Sequence, residues 1–308
     1  MLSILGVLGI LFAGVAADAL LSHPTKADDD SDDLPDDGAG EDTNGLDGGA
    51  GNLLDDPDEH IEGNPVSDDL PDPQDAAVSL QGGEGNDLMS GGGAADTLSG
   101  GAGDDQIDAK GGADTIDAGA GNDMVWAGAE DDNISGGFGD DTLHGQAGDD
   151  LVTGDFGADL LFGHEGDDTL SGGAGADTLL GGMGDDELFG GSDADWLAGG
   201  EGDDSLFGGA GSDILDGNAG DDQLSGLDGA QDDGQTDYLN GGTGNDVLTL
   251  GMGDHAMGGD GEDSFVVQEW LAEGNVARIA DYDFVQDQIV VVYDSTAHPD
   301  PQLSLATK

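Results

Sequence analysis

One apolar residue recurs every nine positions along the middle of the chain. The series starts at Met89 and Leu98 and runs without a gap to Leu215 and Leu224. No helix has that period and no simple strand does, because helices repeat near 3.6 residues and strands at two. Between the apolar residues lie glycines and acids, as in GGAGADTLL (172–180) and GGMGDDELF (181–189). Laid out in nines from Gly82, residues 82–225 give sixteen repeats in strict register. With the first glycine as position 1, position 8 is always apolar, and strand alternation would turn it inward and positions 7 and 9 outward.

Position 6 is aspartate in every one of the sixteen: Asp87, Asp96, Asp105, Asp114, Asp123, Asp132, Asp141, Asp150, Asp159, Asp168, Asp177, Asp186, Asp195, Asp204, Asp213 and Asp222. Position 5 is Asn, Asp, Ala or Ser. The repeat therefore fixes one acid and lets its neighbour vary. This marks position 6 as a candidate metal ligand and position 5 as a solvated turn residue. Position 4 is glycine in thirteen of sixteen repeats, Ala94, Glu130 and Asp193 being the exceptions. Ala109, Ala118 and Ala127 replace the position-1 glycine, which predicts looser turns toward the N-terminal end of the array.

Charge sharpens the picture. The 308-residue chain carries a formal net charge of −66, with only Lys26, Lys110, Arg278 and Lys308 basic. Such a chain repels itself unless something cationic neutralises it. Nucleic acid and anionic membrane surfaces are excluded as partners, because there is no basic footprint to meet phosphate. Aspartate offers hard oxygen donors, which suit calcium rather than zinc or copper. The absence of cysteine removes disulfides and thiolate metal sites.

The GGxGxD-x-apolar-x pattern resembles the calcium-binding nonapeptide of the RTX (repeats-in-toxin) proteins. The likeness resumes after an insertion within 226–235 at Thr236-Asp237-Tyr238-Leu239. It continues through GGTGNDVLT (241–249) and, after a one-residue contraction, GGDGEDSFV (258–266). This adds Asp237, Asp246 and Asp263 to the candidate ligands. The resemblance implies an all-β fold: a parallel β-roll, a two-sheet solenoid in which each nonapeptide is a six-residue turn and a three-residue strand. Two nonapeptides make one coil, and several Ca2+ ions sit between stacked turns, held by position-6 carboxylates and backbone carbonyls. Each coil orders eighteen residues for two large inward side chains, so metal is needed to tip the balance. Modules outside cells bind calcium at about 0.1–1 mM, so the roll is expected to fold on leaving a low-calcium cytoplasm. The location implied is the exterior or cell surface of a bacterium.

Four segments follow. Residues 1–21 form an apolar anchor or signal, the first seventeen without a charged side chain, short for a bilayer span and without the basic start of a secretory signal. Membrane anchoring through residues 2–21 and cleavage near Ala17-Asp18-Ala19 both stay open. Residues 22–75 hold six of the eight prolines and runs such as DDDSDD, and read as a disordered acidic linker. Residues 76–266 form the roll, with Val78-Ser79-Leu80 as a starting half-coil whose aspartate position is held by Val78. Residues 267–308 resemble the segment that caps such rolls, with Asp283-Phe284 and Asp287-Gln288-Ile289, and predict a strand pair covering the open end.

The chain is not expected to be an enzyme. It has no HExxH motif and no Gly-x-Ser-x-Gly elbow, and its six histidines are scattered. No catalytic or organic-cofactor residue is assigned. The alternative to calcium binding as the whole function is an adhesion or partner-binding surface. The face built from alternate repeats would present Leu88, Met124, Trp126, Leu160, Phe162, Leu180, Trp196 and Ile214, and the opposite face mostly Thr, Ser, Asn and Asp.

Overall fold

The computed structural model describes residues 76–229, 233–267 and 277–292. The apolar segment and linker expected over 1–75 lie outside the described residues.

The described residues form two parallel sheets wound as one solenoid. Sheet A has twelve strands, from Ser79–Gln81 to Gln288–Val291, and sheet B eleven, from Leu88–Ser90 to Arg278–Ile279. Successive strands alternate between the sheets, so every strand pairs with the second strand before and after it. In the regular part partners are eighteen residues apart, as in Leu161↔Leu179 and Leu170↔Leu188. This is the parallel β-roll expected from the nonapeptide period.

Most strands run six residues rather than three. Thr178–Met183, for example, spans positions 7 to 3 of the next repeat, leaving only positions 4–6 as turn. The extension arises because the backbone at positions 2 and 3 also pairs with the coil above, as in His164↔Gly182 and Glu165↔Met183.

Position 8 builds the core. Leu98, Ile107, Leu143, Leu161, Leu188 and Leu206 are fully buried and stack in two facing columns. Position 1 points inward too, and the alanines there sit inside the core. Ala109, Ala118 and Ala127 are fully buried members of the same core. Their methyl groups add packing where the glycines of the other repeats add none.

Position 4 needs a left-handed backbone. Gly175 has φ +129°, and a Cβ there would lie 1.7 Å from the carbonyl oxygen of Gly157 in the coil below. Two of the three non-glycine exceptions, Glu130 and Asp193, still adopt positive φ.

The ends match the start and finish of a coil. Val78 donates its N–H to Asp96 Oδ1 (2.7 Å) and its carbonyl accepts from Thr97, so it stands in the aspartate position without a carboxylate. At the other end, Arg278–Ile279 adds to sheet B and Gln288–Val291 to sheet A. The tail therefore extends each sheet by one strand, and Ile279 and Ile289 pack against the core.

Candidate metal centre

The position-6 aspartates line up in two columns, one along each turn edge. From Asp96 to Asp263 all eighteen expected ligands are buried, between 0% and 3% exposed; Asp87, in the first full turn, is half-buried. Within a column, from Asp105 onward, each Oδ1 accepts the backbone N–H of the aspartate one coil earlier. Asp150 donates to Asp168 and Asp168 to Asp186, both at 2.8 Å. The stride stretches to 24 residues from Asp213 to Asp237 and shrinks to 17 from Asp246 to Asp263, so the insertion and the contraction leave the columns unbroken.

The second oxygen is different. Fifteen Oδ2 atoms, from Asp105 to Asp222 together with Asp246, are buried and accept no hydrogen bond. A buried carboxylate oxygen without a partner is costly. Burial accordingly pushes up the position-6 acids from Asp114 to Asp222, with Asp237, Asp246 and Asp263, against the lowering effect of the backbone N–H and with help from neighbouring carboxylates. Asp132, Asp141, Asp150 and Asp186 reach about 7, Asp168 about 6 and Asp237 about 8.

In most repeats glycine at position 1 keeps the space beside Oδ2 clear, while Ala109, Ala118 and Ala127 stand there in the repeats of Asp114, Asp123 and Asp132. A Cβ on Gly181 would lie 2.2 Å from Asp186 Oδ2. Among the described residues no group of three or more His, Cys, Asp or Glu side chains converges as a metal cluster. Each turn instead offers one hard carboxylate oxygen among backbone carbonyls. That donor set fits calcium and gives zinc or copper no nitrogen or sulfur ligand.

Two residues complete the columns beyond the expected set. Asp254 is fully buried, and its Oδ1 accepts the N–H of Asp237 (3.1 Å). It belongs to the contracted repeat 250–257, where shifting the register by one would have placed it at the ligand position. Asp287 accepts from Asp263 (3.2 Å) and from Asp283 N–H (2.6 Å). It sits in the Asp-x-Ile pattern of the tail, where no glycine run flags a turn.

Position 5 is exposed, as expected of a turn residue, but it is not only solvated. Asp131, Asp149, Asp167, Asp185 and Asp203 form a second ladder of the opposite sense. Asp185 donates its N–H to Asp167 Oδ1 (2.9 Å) and Asp203 to Asp185 (2.8 Å). Position-6 carboxylates thus reach back to the preceding coil and position-5 carboxylates reach forward to the next.

The RTX calcium-binding nonapeptide repeat model matches residues 79–107, 99–134, 126–161, 162–197, 198–230 and 233–266. No curated protein matches the chain. The repeats of that family bind several calcium ions, and the match takes in every complete coil of the solenoid. With its two aspartate columns and glycine turns in the same frame, the chain belongs to the RTX family of calcium-binding nonapeptide-repeat proteins.

Proposed function

We propose that the position-6 aspartates, from Asp87 through Asp222 with Asp237, Asp246, Asp254 and Asp263, are the calcium ligands, and that the ions switch the roll from unfolded to folded outside the cell. The observation that carries this is the row of fifteen buried Oδ2 atoms with no partner. Calcium supplies the positive charge that these carboxylates lack. The chain's own contribution is to hold Oδ1 on a backbone N–H from Asp96 onward, to turn Oδ2 toward position 1 and to keep that position small, glycine in most repeats and alanine in three. Glycine turns bring backbone carbonyls to the same edge as the remaining oxygen donors. The role is structural rather than catalytic, in a protein released from or displayed on a bacterium.

A calcium titration followed by far-UV circular dichroism tests the reading. The calcium-free chain at pH 7.5 should lack the β signal and gain it cooperatively with calcium, with magnesium a poor substitute because it holds its waters and demands tighter octahedral geometry. A calcium-free chain that already shows the full β spectrum, unchanged by calcium, would contradict it.

A further inference from the structure

The outward face of sheet B carries a row of rings that ends at a groove. Trp126 stacks on His144 (6.0 Å between centroids), His144 on Phe162 (4.6 Å) and Phe162 on His164 (5.6 Å). Beyond Leu180 the row drops to Ala198 and to glycines, and a trough of about 700 Å3 opens. Phe162 and Leu180 wall one end, Asp216 the other, and Trp196 and Glu201 flank it. Trp196 is 42% exposed. No described ring stacks on it, unlike the Trp126 ring.

Charge identifies what such a trough would hold. The described residues contain two basic side chains, Lys110 and Arg278. Both lie on other strands and are engaged, Lys110 Nζ with the Gly91 carbonyl (2.9 Å) and Arg278 with His255 (3.1 Å). Asp216 has one oxygen on Asn240 Nδ2 (2.8 Å). Glu201 and Asp216 therefore face the trough without a cation from the described chain. A metal ion is poorly served here, because calcium wants six to eight oxygens and an indole face offers none. A guanidinium or ammonium is well served, since aromatic faces attract organic cations and carboxylates pair with them. The field of a chain at −66 draws cations and repels anions.

We propose that this trough binds a basic peptide segment of a partner protein, an Arg or Lys head over Trp196 toward Glu201 and Asp216, with an apolar neighbour against Phe162 and Leu180. The site needs the folded roll but not any particular set of calcium ligands.

The test uses the full chain saturated with calcium at 150 mM NaCl, with circular dichroism to verify the fold of each variant. The probe is acetyl-Arg-Leu-Arg-Leu-Arg-amide, followed by titration calorimetry and tryptophan emission. Trp196→Ser should weaken binding at least tenfold, and Glu201→Gln with Asp216→Asn by a similar factor. Glu187→Gln with Asp117→Asn, exposed acids of sheet A, should change it less than twofold. The same peptide with citrulline for arginine should not bind. If Trp196→Ser fails to reach the parent's spectrum, Trp196→Leu carries the same expectation with the apolar bulk kept. Four results overturn the proposal: no binding of the arginine peptide at millimolar concentration, equal binding of the citrulline peptide, equal losses from the sheet A variant, or Trp196-dependent binding of cellohexaose in place of the peptide.

Discussion

Asp168→Asn should change sign with calcium. The side chain is buried, its Oδ1 takes the Asp150 N–H at 2.8 Å, and its Oδ2 has no partner. Burial holds the carboxyl near pH 6 instead of 3.8. Ionising it at pH 7.5 therefore costs the calcium-free fold on the order of 3 kcal/mol at full strength, and about half that after solvent screening at the turn. The amide keeps the hydrogen bond and removes the charge, so without calcium the variant should fold more readily than the parent. With calcium it loses a charged ligand, and each tenfold loss of affinity at saturation removes about 1.4 kcal/mol. The assay has two arms at pH 7.5. In EGTA, trimethylamine N-oxide, which favours compact states, drives folding, and the midpoint should fall for Asp168→Asn. In excess calcium, urea unfolding should come earlier than in the parent. Asp167→Asn, at an exposed side chain that keeps its acceptor for Asp185 N–H, should move both midpoints by less than about 0.5 kcal/mol. Shifts of one sign in both arms, or equal behaviour of the two variants, would refute the ligand assignment.

Acid should partly replace calcium. Asp132, Asp141, Asp150, Asp186 and Asp195 are raised to about 7 and Asp237 to about 8, so the calcium-free fold binds more protons than the unfolded chain and its stability rises as pH falls from about 8 toward 4. Circular dichroism in EGTA should show more β structure at pH 5 than at pH 8, and the calcium concentration needed for half-folding should be lower at the lower pH; the reverse trend would show that the carboxyls are not desolvated in the fold. Gly175→Ala, at φ +129° and against the Gly157 carbonyl, should cost more than about 1 kcal/mol in calcium, measured by urea unfolding, and more than Gly190→Ala, because three repeats already carry alanine at position 1.

The strict nine-residue frame carried the inward column and the place of nearly every turn aspartate, because it leaves one reading for positions 6 and 8, and the resemblance to RTX repeats carried the two-sheet winding. What the sequence hid has physical reasons. Position 1 is a core position, yet glycine has no side chain to announce burial, so the buried methyls of Ala109, Ala118 and Ala127 read as flaws. Asp254 was masked by a one-residue slip and Asp287 by the loss of its glycines. The opposite senses of the two carboxylate ladders depend on which coil each oxygen reaches, and spacing does not encode that. The trough beside Trp196 arises from residues eighteen apart coming side by side, where Ala198, Gly182 and Gly200 happen to leave room.

The alternation of strands between the sheets gives the array a parity. Removing eighteen residues from the regular stretch deletes one coil and returns every later side chain to its own face. Removing nine keeps glycines, aspartates and inward residues all in frame, yet sends each later repeat to the other sheet. Trp196 and Glu201 would then lie on the sheet A side, parted from Phe162. The turn columns accept either change, since both edges carry the same aspartate. Only even numbers of repeats can therefore be gained or lost if the outer faces are to keep their identity, and the stretched stride of 24 and the shortened one of 17 are length changes that leave this parity intact.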